Sequence, residues 1–311
     1  MAQLVKLYDY ISRYESNPFH YPTQFIRLKQ ENWQQFHQSW LDEKETVHQN
    51  DEVENTNTNK RRFSDFALFS KKTADDHVER EISKKDLPKT KEQLIQLFLN
   101  QLLPFQYKWA TSTISHQSYT DQKHVYDETL TYFLQRFPDI YLLLYYPLFS
   151  VKKAPMDGEI ILISPIGIEI IHIIKEVSQA TIIVNEGHSW KVESKGQTQS
   201  MISPLIALKR TEQIVSSILK VHDVDFPIHK TVLSETNDFL YHTEPYETNL
   251  VGKRNYEEWF TKKRSLQSPL KNVQLKSMEA LLHHCHSTSV RRPEWTKNDD
   301  SFMTMESFKE T

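Results

Sequence analysis

Glu159 and His172 are the ionisable side chains that the sequence sets deepest in apolar surroundings. They lie in the stretch Asp157 to Lys175, DGEIILISPIGIEIIHIIK, which reads as two β-branched strands joined by a Ser164-Pro165-Ile166-Gly167 turn. A charge among isoleucines is costly to bury without a partner, so each group is either satisfied structurally or functional. Side chains alternate along a strand. Asp157 and Glu159 therefore share one face of the first strand, and Glu169 and His172 fall on opposite faces of the second. The structural alternatives are a solvent-exposed glutamate at a strand start and a histidine hydrogen-bonded within the core.

A second cluster, His283-His284-Cys285-His286, holds good zinc ligands. Consecutive helical residues point in different directions and no second ligand group stands at a usual spacing, so no metal site is expected there. There is no P-loop, dinucleotide fingerprint, nucleophile elbow or paired-cysteine motif. Nucleotide-driven motors, Rossmann dehydrogenases, common serine hydrolases and structural zinc modules drop out of the front rank.

The elements that must position the hairpin follow from periodicity. Ile140 to Ser150, Glu159 to Ile163, Ile168 to Ile174 and Thr181 to Asn185 read as strands with short turns, an antiparallel meander. A helix over Asp121 to Arg136 precedes it. Ser203-Pro204 reads as N-cap and first position of a helix to about Lys220, and Ile228 to Leu233 as a further strand. The order helix, three-strand meander, helix, strand is an α/β arrangement with helices covering the sheet.

Around this core, residues 1–40 form an aromatic segment in which Leu4, Leu7, Tyr8 and Ile11, then Trp33, Phe36 and Trp40, recur at helical spacing. Two short helices are predicted, docking on the parent domain or on a protein partner. Residues 41–88 are dense in charge, with Lys60, Arg61 and Arg62 beside Phe63, and read as a disordered linker. The core is placed at 89–235. Its leading helix starts at the capping box Thr90-x-x-Gln93 and ends or kinks at Pro104. Tyr256 to Phe260 and Leu275 to Leu282 suggest helices in a C-terminal helical extension, 236–290, followed by a flexible tail, 291–311.

The chain has 311 residues, of which 38% are hydrophobic, 12% aromatic and 25% charged, as in an ordinary folded protein. A formal charge of −3 gives no global pull toward nucleic acid or anionic membrane. Nucleic-acid contact would need a local basic patch, and Lys152, Lys153, Lys175, Lys209 and Arg210 near the open end of the sheet are the candidates. Cys285 is the single cysteine, and no secretory leader is evident, so a reducing cytoplasm is the expected compartment. Apolar runs are far shorter than the ~20 residues of a membrane helix. No membrane partner is expected.

Residues 127–219 also carry a helix with an acid at Glu128, ending in the corner Phe137-Pro138-Asp139. They continue with the strand Tyr141 to Phe149, the segment ILISPIGIEII, Trp190 and the helix start Ser203-Pro204-Leu205. In that order and spacing the stretch resembles the nuclease-related domain (NERD) family, a branch of the restriction-endonuclease-like fold. The resemblance implies an acid on the first hairpin strand, and a second acid two residues before a lysine on the next strand. The carboxylates hold Mg²⁺ and the lysine positions water at the phosphate. Aligned on Ser164, these positions fall on Glu159, His172 and Ile174. Only the first keeps its chemistry. The resemblance thus implies an inactive nuclease relative that binds DNA, RNA or a protein partner, with no cofactor. The competing expectation is an active nuclease using Glu128, Asp157, Glu159 and His172 with Mg²⁺ or Mn²⁺.

Overall fold

The computed structural model describes residues 1–50, 88–125, 127–151, 154–175, 179–185 and 187–292. The chain divides into two units, Met1–Tyr21 with Tyr107–Thr311, and Pro22–Gln106. The elements begin with β1 (Gln3–Leu7), α1 (Arg13–Ser16), α2 (His20–Asn50), α3 (Lys91–Thr111), β2 (His116–Gln117), α4 (Gln122–Val125) and α5 (Glu128–Arg136). Strands β3 (Leu142–Tyr145), β4 (Leu148–Val151), β5 (Ala154–Asp157), β6 (Ile160–Ser164), β7 (Gly167–Ile173), β8 (Thr181–Ile183), β9 (Ser189–Ser194) and β10 (Gln197–Ile202) follow. The remainder is α6 (Pro204–Val221), β11 (Ile228–Leu233), β12 (Asp238–Leu240), β13 (Thr248–Val251), α7 (Tyr256–Arg264), α8 (Asn272–His284) and β14 (Val290–Arg291).

The protein is mixed α/β, built on a six-stranded sheet of order β1-β3-β6-β7-β11-β13. Strand β6 runs antiparallel to both neighbours, and the other pairings are parallel. The carboxyl ends of β1, β3, β7, β11 and β13 therefore share one edge with the amino end of β6. Strands buried on both faces become continuous apolar runs, as in LLLY of β3 and IILIS of β6, where every residue is buried. Helices α6 and α8 pack on each other, α6 also on β7 and β11, and α8 on β6. Gln274 of α8 donates to the carbonyls of Ile140 (2.6 Å) and Ile163 (3.1 Å), so an amide buried at this layer is satisfied.

Several expectations need correction. Leu4 and Leu7 belong to the fully buried strand β1, paired in parallel with β3, instead of to a helix. Helix α2 runs to Asn50, so residues 41–50 of the expected linker are helical, and 51–87 lie outside the described residues. Within the second unit α2 and α3 form an antiparallel pair. Trp33 and Phe36 lie 5.2 and 5.6 Å from Phe98, Phe25 lies 6.3 Å from Phe105, and Trp40 donates to the Pro88 carbonyl. Packing on both sides of Pro104 keeps that proline inside α3.

The helix expected over Asp121 to Arg136 is broken, because Asp127 caps α5 by accepting from the Thr129 and Leu130 amides. The strand Ile140 to Ser150 stops at Tyr146, whose φ of 47° no strand tolerates, and Pro147. Its second half pairs with β5 in a separate ribbon. Strand β8 joins a second sheet, β10-β9-β8-β12, and is no part of the meander. The expected C-terminal helical extension contributes β12 and β13 as well as helices, β13 extending the main sheet. Of the expected tail, 293–311 lie outside the described residues.

The sheet edge at β1 is fastened by Lys6, whose side chain has no exposed surface. Its ammonium donates to the Tyr10 carbonyl (2.8 Å), Glu15 Oε1 (2.6 Å) and Ser287 Oγ (2.5 Å). Ser287 in turn donates to Glu15, and the Thr288 amide donates to the Asp9 carbonyl. Replacing Lys6 by Met strands the Glu15 carboxylate. Since Glu15 keeps 23% of its side chain exposed, the loss should sit at the low end of the about 3–5 kcal/mol typical of a broken buried pair. Urea denaturation should show it, and adding Glu15→Gln should recover part of it.

Candidate functional site

The shared edge collects a polar row. Continuing the β3–β6 register by two residues sets Tyr146 opposite Glu159, and continuing the β6–β7 register by one sets Glu159 opposite His172. On the other side, β1 pairs Leu7 with Tyr145, which brings Tyr8 beside Tyr146, their ring centroids 6.0 Å apart. His124 stacks on Tyr8 at 4.1 Å. The row therefore reads His124, Tyr8, Tyr146, Glu159, His172. Tyr8 and Tyr146 both hold left-handed backbones, with φ of 48° and 47°. Such strain in bulky residues is costly and clusters at functional sites.

Glu159 and His172 approach to 3.1 Å between Oε2 and Nδ1. The imidazole finds no aligned hydrogen bond through Nδ1, so the contact is a close approach and not a directed bond. Glu159 is 8% exposed and His172 half-buried. Two features fix Glu159. Its amide donates to Thr211 Oγ1 of α6 (3.1 Å), and Gly158 lets the ribbon close on it, since a Cβ there would sit 2.8 Å from the Phe149 ring.

The phenols around the row stay protonated. Burial first, and then the Glu159 charge, push Tyr146 up, and burial with Asp127 does the same for Tyr8. Burial also raises Tyr145, whose hydroxyl donates to Asp127 Oδ2 at 2.7 Å. His124 shifts the other way, held down by burial and then by the Lys123 charge. Its Nδ1 lies 2.9 Å from the Tyr10 hydroxyl, which also accepts the Asp121 amide. Its Nε2 is buried without a hydrogen-bond partner among the described residues.

Of the expected site residues, the structure joins Glu159 and His172 and separates the others. Asp157 is exposed at the end of the β4–β5 ribbon, paired with Leu148, so it does not extend the face of β6. Glu128 is exposed in the first turn of α5, and its neighbour Asp127 faces the sheet end instead, because the capping role turns that side chain inward. Ile174 is 5% exposed. Lys175, Lys209 and Arg210 are exposed, Lys175 three residues beyond His172 and the other two next to Thr211, while Lys152 and Lys153 lie outside the described residues. Glu169 sits on the opposite face, where it accepts from Thr231 (2.6 Å) and the Trp259 indole (3.2 Å) and pairs with Lys263. Oε1 takes both hydrogen bonds, and Oε2 meets the Lys263 ammonium without an aligned one.

Among the described residues no three His, Cys, Asp or Glu side chains converge to hold a metal ion. No described helix is long and apolar enough to cross a membrane. Sequence reading missed Tyr8, Tyr146, His124 and Asp127. Tyr145-Tyr146-Pro147 carries a usable signal, a strand cut short by proline. Tyr8 carries none, because its place depends on a parallel pairing with a strand more than a hundred residues away.

No family model matches the chain, and no solved structure does. An RNA 2',3'-cyclic phosphodiesterase of Geobacillus stearothermophilus is 53% identical over 45 residues. That match covers 14% of this chain and 14% of the relative. So short a segment carries neither fold nor activity from one chain to the other.

The His124 environment gives a pH dependence with a defined sign. Its folded pKa is depressed, so the unfolded chain takes up the proton more readily. Stability is present above the unfolded value of about 6.5 and is lost as pH falls through the folded one. His284, depressed by burial and then by His222, adds in the same sense. The urea midpoint should fall between pH 7.5 and 5.5, more shallowly in His124→Gln than in wild type; an unchanged slope would refute the assignment.

Proposed function

We propose that the protein is a relative of the nuclease-related domain family, with a restriction-endonuclease-like core. In this reading it binds nucleic acid at the carboxyl edge of its main sheet and has lost metal-dependent cleavage. The succession α5, β3, β6, β7, α6, β11, with the four strands adjacent in that order, supports the fold assignment. The observation that carries the functional reading lies at the end of β7. Glu159 is retained, but its companion is His172, and the position that would hold the phosphate-facing lysine is Ile174, buried in the sheet.

Phosphodiester hydrolysis of this type needs a clamped cation and a positive group at the scissile phosphate. Among the described residues no third ligand converges, and Ile174 stands at the lysine position. What remains suits binding. Lys175, Lys209 and Arg210 are exposed, near His172 and Thr211 in sequence, and can meet phosphates, while the overall charge of −3 gives no wider attraction. The relative matched over 45 residues is named for RNA phosphodiester chemistry, so RNA belongs among the ligands tested. The 3.1 Å Glu159–His172 approach favours one second reading, a Mn²⁺-dependent nuclease with displaced ligands.

Fluorescence anisotropy with single-stranded and duplex DNA and with RNA should show affinity that falls steeply from 50 to 200 mM salt. Lys175→Glu with Arg210→Glu should weaken binding and lower the slope of log K against log salt by about 2. No Mg²⁺- or Mn²⁺-dependent cleavage should appear. Robust cleavage abolished by Glu159→Ala would establish the nuclease reading. Absence of salt-sensitive affinity for every nucleic acid would leave a protein partner.

A further inference from the structure

The histidine cluster that sequence spacing left without a second ligand group acquires one in three dimensions. His222 caps the carboxyl end of α6 and His284 is the last residue of α8. Their Nε2 atoms lie 3.1 Å apart. The rings are nearly perpendicular, at 88°, and the His283 ring lies 6.2 Å from that of His222. We propose that His222 and His284 form a binding site for a first-row divalent cation, with Zn²⁺ as the reference ion, clamping the carboxyl ends of α6 and α8.

The geometry favours an ion. Zn–N bonds of about 2.0–2.1 Å in tetrahedral array put two ligating nitrogens roughly 3.3 Å apart. The observed pair needs to open by only a few tenths of an ångström. Both imidazoles sit at helix carboxyl ends, where unsatisfied carbonyls favour positive charge. His222 is exposed and His284 half-buried, so an ion can enter from solvent without opening the core. The two protein ligands leave coordination positions for water, which accords with the lack of any converging set of three ligand residues. The alternative for the same atoms is a single N–H···N hydrogen bond, which one proton satisfies.

The consequence would be structural. Helices α6 and α8 cover β6, β7 and β11, and α6 carries Thr211, the acceptor of the Glu159 amide. An ion that binds the folded chain alone raises its stability by mass action. This inference does not depend on the nucleic-acid reading.

The test is Zn²⁺ titration by calorimetry at neutral pH on the full chain without a histidine tag, together with thermal unfolding. One ion per chain should bind, and Zn²⁺ should raise Tm. His222→Gln and His284→Gln should each weaken binding at least about tenfold and remove the Tm increase, while His242→Gln, in an exposed loop, should not. Cu²⁺ on the wild-type chain should show coupling to two imidazole nitrogens in its electron paramagnetic resonance spectrum, a readout independent of how any variant folds. Zn²⁺ binding unchanged in the His222→Gln/His284→Gln double variant, or no stoichiometric binding at all, would overturn the site.

Discussion

A lysine ammonium without solvent contact needs an acceptor for each of its three protons, and Lys6 finds them on three separate pieces of chain. One is the Tyr10 carbonyl beyond its own strand, one is Glu15 in α1, and one is Ser287 after α8. The desolvation of the charge is offset only if all three stay in place. This condition seats β1 beside β3, and that pairing delivers Tyr8 to the carboxyl edge next to Tyr146. The N- and C-terminal parts of the first unit are thus committed to each other before any site can exist.

The edge is then shaped by topology. Five strands end there in parallel and β6 begins there, so whatever follows a parallel strand or precedes β6 meets its neighbours regardless of distance in sequence. Tyr8, Tyr146 and Glu159 are such flanking residues, with His172 one residue inside the end of β7. The interiors of β3 and β6 are apolar on both faces, and the charged groups buried within other strands, Lys6, Glu169 and Lys230, each meet an opposite charge, so the polar row gathers where the ladder stops.

Local signals were legible where the chain folds on itself. Ser203-Pro204 opened α6 as read, Ser164 to Gly167 turned the β6–β7 hairpin, and Gln93 and Thr90 exchange the expected capping-box contacts. Alternation also separated Glu169 from His172 correctly. Non-local pairing was illegible. QLVKL is too short to show a period, and Leu4, Leu7, Tyr8 and Ile11 match a helical stripe by coincidence, while only β3 supplies the ladder that makes β1 a strand. Asp127 was overlooked for Glu128 because a cap and a first-turn acid differ by one residue and by the whole direction of the side chain.

Glu159 and Glu169 show what distinguishes a core carboxylate from a candidate functional one. Glu169 accepts a hydroxyl and an indole N–H on Oε1 and has an ammonium beside Oε2, so its buried charge is paired. Glu159 has, among the described residues, a half-buried histidine without an aligned bond and neutral phenols near it. A lysine introduced two residues beyond His172 would not recreate a phosphodiesterase centre. It would replace Ile174, which is packed in the sheet, its amide bonded to the Leu233 carbonyl. A cation there would be buried, and burial of an unpaired charge favours deprotonation or displacement over catalysis. In the proposed reading, the end of β7 is therefore built for packing. The positive charge that would meet phosphate stands outside the sheet, on Lys175 and α6, where it can bind a backbone but not position a water at it.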